Sequence, residues 1–434
     1  MRFIALLRRN PQYARLWAAM LISYIGDWFN TIALAAIVSR FTDGSGLAIS
    51  LFLLARFLPP LLVTPIAGAL ADRFDRKRLL IISDLLRVGI VLSLLLVQSA
   101  DQLWLLYLLT MAQFALGSVF EPTRSALTPA TVPKEDLIEA NVLGSVTWSV
   151  ALWLGALTGG LVAGAFGVTT ALLVDAATFL ISALFIAAIR PLYDVTPSEA
   201  VQRFHMRDIS DGLRYARQHP GIGATLLVKF GGSIGNVDSL LIIYATVLFP
   251  LYLRGLADTA EQAGALSLGI LYTGFGIGAV VGLIIIDRFN DGTVRTMRRL
   301  IIVGFALITI GWLLFGTAGS LWLAAFALFI KAMGSNTYWT YSSVLLQKLV
   351  DPQYLGRMFS LDYAGFQLAT VLSTVITGLA VEAVGNTHAP TVVLVTAFVS
   401  LLPLTVWAAL TRWLERLEQR LTTPPLMPAD VPGD

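Results

Sequence analysis

Twelve apolar runs of bilayer length constrain this chain more than any other feature. A helix crosses the hydrocarbon with roughly 17 to 25 apolar residues, more when it is tilted. Such runs occupy 13–41, 46–71, 79–98, 103–121, 138–165, 168–189, 222–252, 264–286, 298–317, 320–346, 357–384 and 389–411. Charged residues make up 13% of the 434 positions, against about a quarter in a soluble domain, so much of the surface must face lipid. The fold class this predicts is an all-α membrane protein with twelve transmembrane helices. After the basic start Met1 to Arg15, the first run continues to about Phe41. That is longer than a signal-peptide core, and it predicts a retained first span.

Charge placement gives the topology. Arg40 and Arg254 fall on one side, and Arg56, Arg87, Lys229 and Lys331 fall inside spans. The other Lys and Arg residues fall on the side of the N-terminus. An excess of Lys and Arg marks cytoplasmic loops, so both termini are expected in the cytoplasm of a bacterial cell, with the chain multi-pass in the inner membrane. The net charge of +3 then reports topology and does not point to nucleic acid. There is no Cys, and His205, His219 and His388 fall in predicted loops without ligand spacing, so no metal site is expected. No Gly-Lys pair is present to form a phosphate-cradling loop. No cofactor is expected, and the chain reads as something other than an enzyme.

One long connection, Arg190 to Pro220, divides the spans six and six. This predicts an N-terminal six-helix bundle over 1–190, a linker over 191–220, a C-terminal six-helix bundle over 221–421 and a disordered, proline-rich tail over 422–434. In the linker, Ile209, Leu213 and Ala216 recur at helical spacing among Arg207, Asp211, Arg214 and Arg217, as in an interfacial amphipathic helix. The halves look like copies. Ser125–Gly167 aligns without a gap on Ser343–Gly385, matching Gly160 with Gly378; Asp72-Arg73-Phe74 recurs as Asp287-Arg288-Phe289; and Ile25-Gly26-Asp27 recurs as Ile234-Gly235-Asn236. Two pseudo-symmetric six-helix bundles are expected.

Charged residues at depth are the candidates for function, because an unpaired charge at the bilayer centre costs about 2.5–3.5 kcal/mol on insertion scales. Asp27 lies near the middle of the first span, with Ser23, Asn30 and Thr31 on its face. It is either a proton carrier or a static partner of Arg56 in the next span. In the seventh span Lys229, Gly231, Gly232, Ser233, Gly235, Asn236, Asp238 and Ser239 predict a bend or unwound turn lining a cavity. Lys229, Asn236, Asp238 and Lys331 of the tenth span either meet substrate or form ion pairs to other helices; Lys229 and Asp238 lie on opposite sides of their helix. Asp84 and Arg87 read as a local salt bridge, and Asp175 reads as structural. Trp28, Trp148 and Trp153 offer aromatic faces to a cationic or amphipathic ligand or pack against lipid. Gly155, Gly159 and Gly160 in the fifth span and Gly274, Gly278 and Gly282 in the eighth make flat stripes. They are expected to meet across the bundle interface, or else to pack within one bundle.

Between the second and third spans, Gly68, Asp72, Arg73, Arg76 and Lys77 have the spacing Gly-x-x-x-Asp-Arg-x-x-Arg-Lys. This resembles the loop between helices 2 and 3 of the major facilitator superfamily, with Asp75 where that family has Gly. The resemblance implies a gating latch in which Asp72 meets the N-terminus of helix 11 and Glu121 receives Arg76 when the latch closes. It also implies substrate near the bilayer midplane between the bundles. Gly155, Gly159 and Gly160 are similar to that superfamily's antiporter signature, with Ala156 in place of Pro, and Gln113 stands where the superfamily has a basic residue in helix 4. Phe120-Glu121-Pro122-Thr123-Arg124, Leu137-Ile138-Glu139-Ala140-Asn141 and Gly26-Asp27-Trp28 resemble the twelve-span drug/proton antiporter branch with macrolide-efflux and enterobactin-exporter proteins. By that resemblance the chain is a monomeric secondary transporter that exports an amphipathic small molecule in exchange for protons. A lipid or lysolipid flippase of the same fold, and a non-transporting membrane receptor or assembly factor, are the alternatives.

Overall fold

The computed structural model describes residues 2–192, 206–235, 238–351 and 354–422, nearly all of them helical. A short amphipathic helix, α1 (Arg2–Arg9), precedes six spans: α2 (Pro11–Phe41), α3 (Gly46–Arg73), α4 (Arg76–Leu94), α5 (Leu103–Leu127), α6 (Leu137–Phe166) and α7 (Val168–Ala187). The linker contributes α8 (Met206–Gln218). Six more spans follow: α9 (Pro220–Ser233) with α10 (Asp238–Ile243), α11 (Ala260–Ile286), α12 (Val294–Gly316), α13 (Leu321–Leu349), α14 (Leu355–Val384), and α15 (Ala389–Val399) with α16 (Leu401–Thr422). Among the described residues ten segments are long and apolar enough to cross a membrane on composition alone. The other two spans are α4, which carries Arg76, Lys77, Arg78, Asp84 and Arg87, and α13, which carries Lys331 and the polar run from Gly334 to Ser343.

Two expectations about the helices change. The stretch from Gly68 to Arg78 is not a long loop, because α3 continues to Arg73 and α4 starts at Arg76, leaving Phe74 and Asp75 between them. Asp75 closes that turn as an N-cap, its carboxylate accepting from the Arg78 N–H at 2.7 Å, a role for which Asp is strongly preferred. The fourth span does not stop at Glu121 but runs through Pro122 to Leu127, and Thr123 Oγ1 adds a hydrogen bond of 2.7 Å to the Val119 carbonyl. The seventh span, as its clustered glycines and polar residues predict, is broken after Ser233, where Gly235 takes φ +78°. Ser373 of α14 bridges the break: its Oγ accepts from Gly235 N at 3.1 Å and donates to the Ser233 carbonyl at 3.0 Å. Irregular backbone at membrane depth needs this kind of partner.

The repeat is visible in the backbone. The helices α6 and α14 both have 30 residues and both end on a glycine at φ +84°, Gly167 and Gly385, a conformation that L side chains rarely adopt. The pseudo-equivalent pair Gly160 and Gly378 occupies the two seams between bundles. A Cβ on Gly160 would lie 2.8 Å from Gly269 Cα and 3.1 Å from the Ala265 carbonyl of α11. On the other seam Gly378 touches the Gly46 carbonyl and Ser50 of α3. The fifth and eighth spans therefore do meet, but through Gly160, Gly269 and Gly276, the last against Trp153. Gly274, Gly278 and Gly282 face Ala325, Phe329 and Met333 of α13 inside their own bundle, and Gly155 and Gly159 face Trp28 and Phe29 of α2. Backbone must come closest where neighbouring helices of one bundle cross, and most of the glycines serve there.

The loops rich in Lys and Arg define a basic face, and hydrogen bonds between the bundles cluster at the opposite face. Ser39 Oγ donates to Thr246 Oγ1 at 2.7 Å, Arg40 pairs with Glu261 at 2.6 Å, Ser45 Oγ donates to Glu382 at 2.9 Å, and the Asn386 amide donates to the Asp43 carbonyl at 3.2 Å. Among the described side chains one further inter-bundle bond lies deeper, from Gln367 to the Phe57 carbonyl at 3.3 Å. The two halves are thus sealed at the opposite face.

Candidate functional site

Asp27 sits at mid-length of α2, beside the third span. Gly26 makes that position possible, since a methyl group there would collide with Thr178 and Asp175 of α7. The cation facing Asp27 is Arg87 of α4, with Nη2 3.7 Å from Oδ2. Arg87 Nη1 also reaches Asp84 at 3.3 Å and Ser23 at 3.4 Å, and Asp84 accepts from Ser182 of α7 at 2.6 Å. The guanidinium lies over the Phe179 ring at 4.0 Å. One arginine thus serves two carboxylates in an apolar surround. The Asp84 side chain is fully buried, the Arg87 side chain is 4% exposed, and the Asp27 side chain is 23% exposed, so Asp27 is the most accessible of the three.

The Asp27–Arg56 pair, one of the two readings of Asp27, is not formed among the described contacts. Arg56 instead lies over Trp28, Phe57 and Phe114, with ring centroids 5.1–5.7 Å from its guanidinium carbon, an arrangement favoured by the negative faces of the rings. From there it is within electrostatic reach of Asp27 in its own bundle and of Asp238 in the other. Trp28 meets Tyr272 of α11 with ring centroids 4.8 Å apart, so Asp27, Trp28 and Arg56 of one half lie close to Asp238 and Tyr272 of the other. Lys331 borders this group, between the rings of Phe275 and Trp312 at 5.1 and 4.7 Å and within reach of Asp238.

Other candidates lie elsewhere. Thr31 bonds back to the Asp27 carbonyl of its own helix at 2.6 Å. Asn30 is buried with its amide atoms lacking hydrogen-bond partners of standard geometry, and so are both carboxylate oxygens of its neighbour Asp175. Lys229 forms a buried ion pair with Asp362 of α14, donates to Ser343 at 2.9 Å and lies over Trp339, the ion-pair arrangement that is one of its two readings. Asn236 lies outside the described residues. Gly68, Asp72 and Arg73 belong to the helical end of α3, and their side chains lie outside the described residues. Arg76 donates to the Ala126 carbonyl at 3.0 Å and Lys77 to the Ile189 carbonyl at 2.8 Å. Glu121 pairs here with Arg124 one turn along and accepts from Tyr24 at 2.6 Å.

Sequence reasoning did not join Asp84 and Arg87 to Asp27, and it did not single out Asp362. The available signal was depth, because each is a charged residue within a predicted span, and such residues face partners in the bundle interior. Gln113 of α5, buried with its amide lacking partners of standard geometry, also borders Asp27.

A family profile described as transmembrane secretion effector matches residues 4–426. The chain is 26% identical over 389 residues to an uncharacterised MFS-type transporter, YfiS, of Bacillus subtilis, covering 88% of this chain and 89% of that one. It is 23% identical to macrolide efflux protein A of Streptococcus pyogenes, covering 87% and 91%. The fold is similar to that of a bacterial homologue of the human lysosomal transporter Spinster in an inward-facing, unoccupied conformation, with a TM-score of 0.69 at 14% identity and coverage of 96% and 99%.

Proposed function

This chain belongs to the transmembrane secretion effector family of the major facilitator superfamily, and from that premise we propose that it exports an amphipathic small molecule in exchange for protons by alternating access. The observation that carries the reading is the shared arginine between Asp27 and Asp84. When Asp27 takes a proton, Arg87 keeps Asp84 as a partner, so the pair with Asp27 can break without stranding a buried cation. Opposite charges at about 4 Å in a partly screened site attract by roughly 4 kcal/mol. A transmembrane potential supplies about 2.3 kcal/mol per charge per 100 mV. The two are of comparable size, as a reversible coupling step requires.

The chamber suits an amphipathic ligand. Trp28, Phe57, Phe114, Tyr272 and Phe275 offer apolar and π surface, while Asp27, Arg56, Asp238 and Lys331 offer charge of both signs. Likeness to a macrolide efflux protein supports export as the direction. The excess of Lys and Arg on the basic face supports placing both termini in the cytoplasm; the sealed face is then extracellular and the chamber is served from inside. In this scheme Asp27, Arg56 and Asp238 are the coupling groups. The gating role of Gly68, Asp72, Arg73, Arg76, Lys77 and Glu121 is proposed for the other half of the cycle, when the basic face closes.

The test is flux in proteoliposomes. An imposed pH gradient should drive uptake of a macrolide probe by wild-type protein, and substrate added without a gradient should move protons. A protein that scrambles labelled lysolipid but shows no gradient-dependent uptake across a panel of amphipathic drugs would instead be a flippase.

A further inference from the structure

On the basic face, the ends of α2, α4 and α7 border an open pocket of about 490 Å³ lined by Gln12, Arg15, Lys77 and residues 187–190. Its shape is set by hydrogen bonds to the chain leaving α7. Arg15 Nη1 donates to the Ala188 carbonyl at 2.9 Å and Lys77 Nζ to the Ile189 carbonyl at 2.8 Å, while Gln12 Oε1 accepts from Arg190 N at 2.8 Å and from Arg15 Nη1 at 3.0 Å. Capping of α7 explains those bonds but not the charge. The carbonyls at a helix C-terminus amount to about half a negative charge, whereas Arg15, Lys77 and Arg190 bring three full positive ones. The ion pairs found among the described residues use other cations, Arg9, Arg40, Arg87 and Arg124 in this half of the chain. A guanidinium has five N–H donors and an ammonium three, more than the carbonyls and Gln12 take up.

The surroundings say what kind of anion fits. Leading away from the pocket into the membrane, α4 and α7 pack side by side and leave Ile82, Leu86, Ile181, Leu184 and Phe185 exposed, Leu184 at 63%. A cationic pocket at the headgroup level, continuous with an apolar helix face, matches a ligand that joins a phosphate to hydrocarbon. We propose that this pocket binds the phosphate of an anionic phospholipid, whose acyl chains lie along the α4–α7 face. The site is separate from the central chamber, and its occupancy does not depend on what the protein transports.

Native mass spectrometry of the purified protein tests this with phosphatidylglycerol, phosphatidylcholine and inorganic phosphate as probes. Wild-type protein should retain phosphatidylglycerol preferentially. Arg15→Gln, Lys77→Gln and Arg190→Gln should each weaken retention about fivefold, in line with the contribution of one basic residue near an anionic surface. Arg190 holds its place in the pocket through its backbone N–H, so Arg190→Gln leaves the fold intact and remains informative if the other variants do not assemble. Arg78→Gln, on the same face but outside the pocket lining, should change nothing. Equal retention of the two lipids, or undiminished phosphatidylglycerol binding in Arg190→Gln and Lys77→Gln, would overturn the proposal. Displacement of the lipid by millimolar inorganic phosphate would overturn it as well, assigning the pocket to a free anion.

Discussion

Replacing Gly160 by Val tests whether the seam between α6 and α11 belongs to one conformational state. A Cβ there would stand 2.8 Å from Gly269 Cα and 3.1 Å from the Ala265 carbonyl, whereas carbon atoms attract best at about 3.5–4.0 Å. Both neighbours are backbone, so no side chain can swing away, and separation of the helices is the available relief. Overpacking of this kind costs about 1–3 kcal/mol. If the seam loosens when the sealed face opens, that cost falls on the sealed state alone and shifts the ratio of states about 5- to 150-fold. The chain has no cysteine, so spin labels introduced at Asp101 and Thr317, exposed on the sealed face in opposite halves, can be read by double electron–electron resonance. The distance distribution should move to longer values in Gly160→Val. Gly378→Val, at the pseudo-equivalent seam, should act in the same direction. Gly89→Val is the control, because a Cβ at Gly89 meets nothing within 4 Å. A folded Gly160→Val protein with the wild-type distribution would show that the seam does not distinguish the states.

Arg87→Gln leaves the wholly buried Asp84 without its cation, and breaking a buried pair costs about 3–5 kcal/mol. The melting temperature in detergent should drop sharply and be largely restored by the additional change Asp84→Asn; equal stability of the single variant and wild type would mean that the pair is not structural. Lys229→Met should destabilise for the same reason, with rescue by Asp362→Leu, and should leave the substrate profile unchanged; an altered profile would return Lys229 to the binding chamber. At the basic face, hydrogen bonds from Arg9 and Asn10 hold the Asp136 carboxyl below the usual carboxylate range. A depressed native value means that this contribution is intact above about pH 4, where the unfolded carboxyl is ionised, and is lost as pH falls through the native value. Fluorescence of Trp17, which packs in the same cluster as Leu6 of α1, should therefore report an acid transition that Asp136→Asn lacks. Identical acid profiles would remove Asp136 from the attachment of α1.

The architecture was legible because hydrocarbon imposes length and composition on each span, and because the repeat around Gly160 and Gly378 survives in sequence. The break at Gly235 was legible for a related reason, since clustered glycines and polar residues inside a span need a partner such as Ser373. Pairing was not. Asp27 had two cations at suitable depth, Arg56 and Arg87, and the choice depends on how α3 and α4 rotate about their axes. That rotation is set by long-range packing, which leaves Arg56 among Trp28, Phe57 and Phe114. The glycine stripe of α11 was ambiguous for the same reason: spacing shows that a helix can approach closely, and α13 rather than α6 proved to be the partner of Gly274, Gly278 and Gly282.

Proton movement through Asp27 is the direct test of the transport mechanism. In proteoliposomes carrying a pH-sensitive dye, addition of a macrolide to wild-type protein should produce a proton flux opposite in direction to the drug. Asp27→Asn should bind the drug and fold as wild type while producing no such flux. An undiminished proton signal in Asp27→Asn would contradict proton coupling through the Asp27–Arg87–Asp84 cluster.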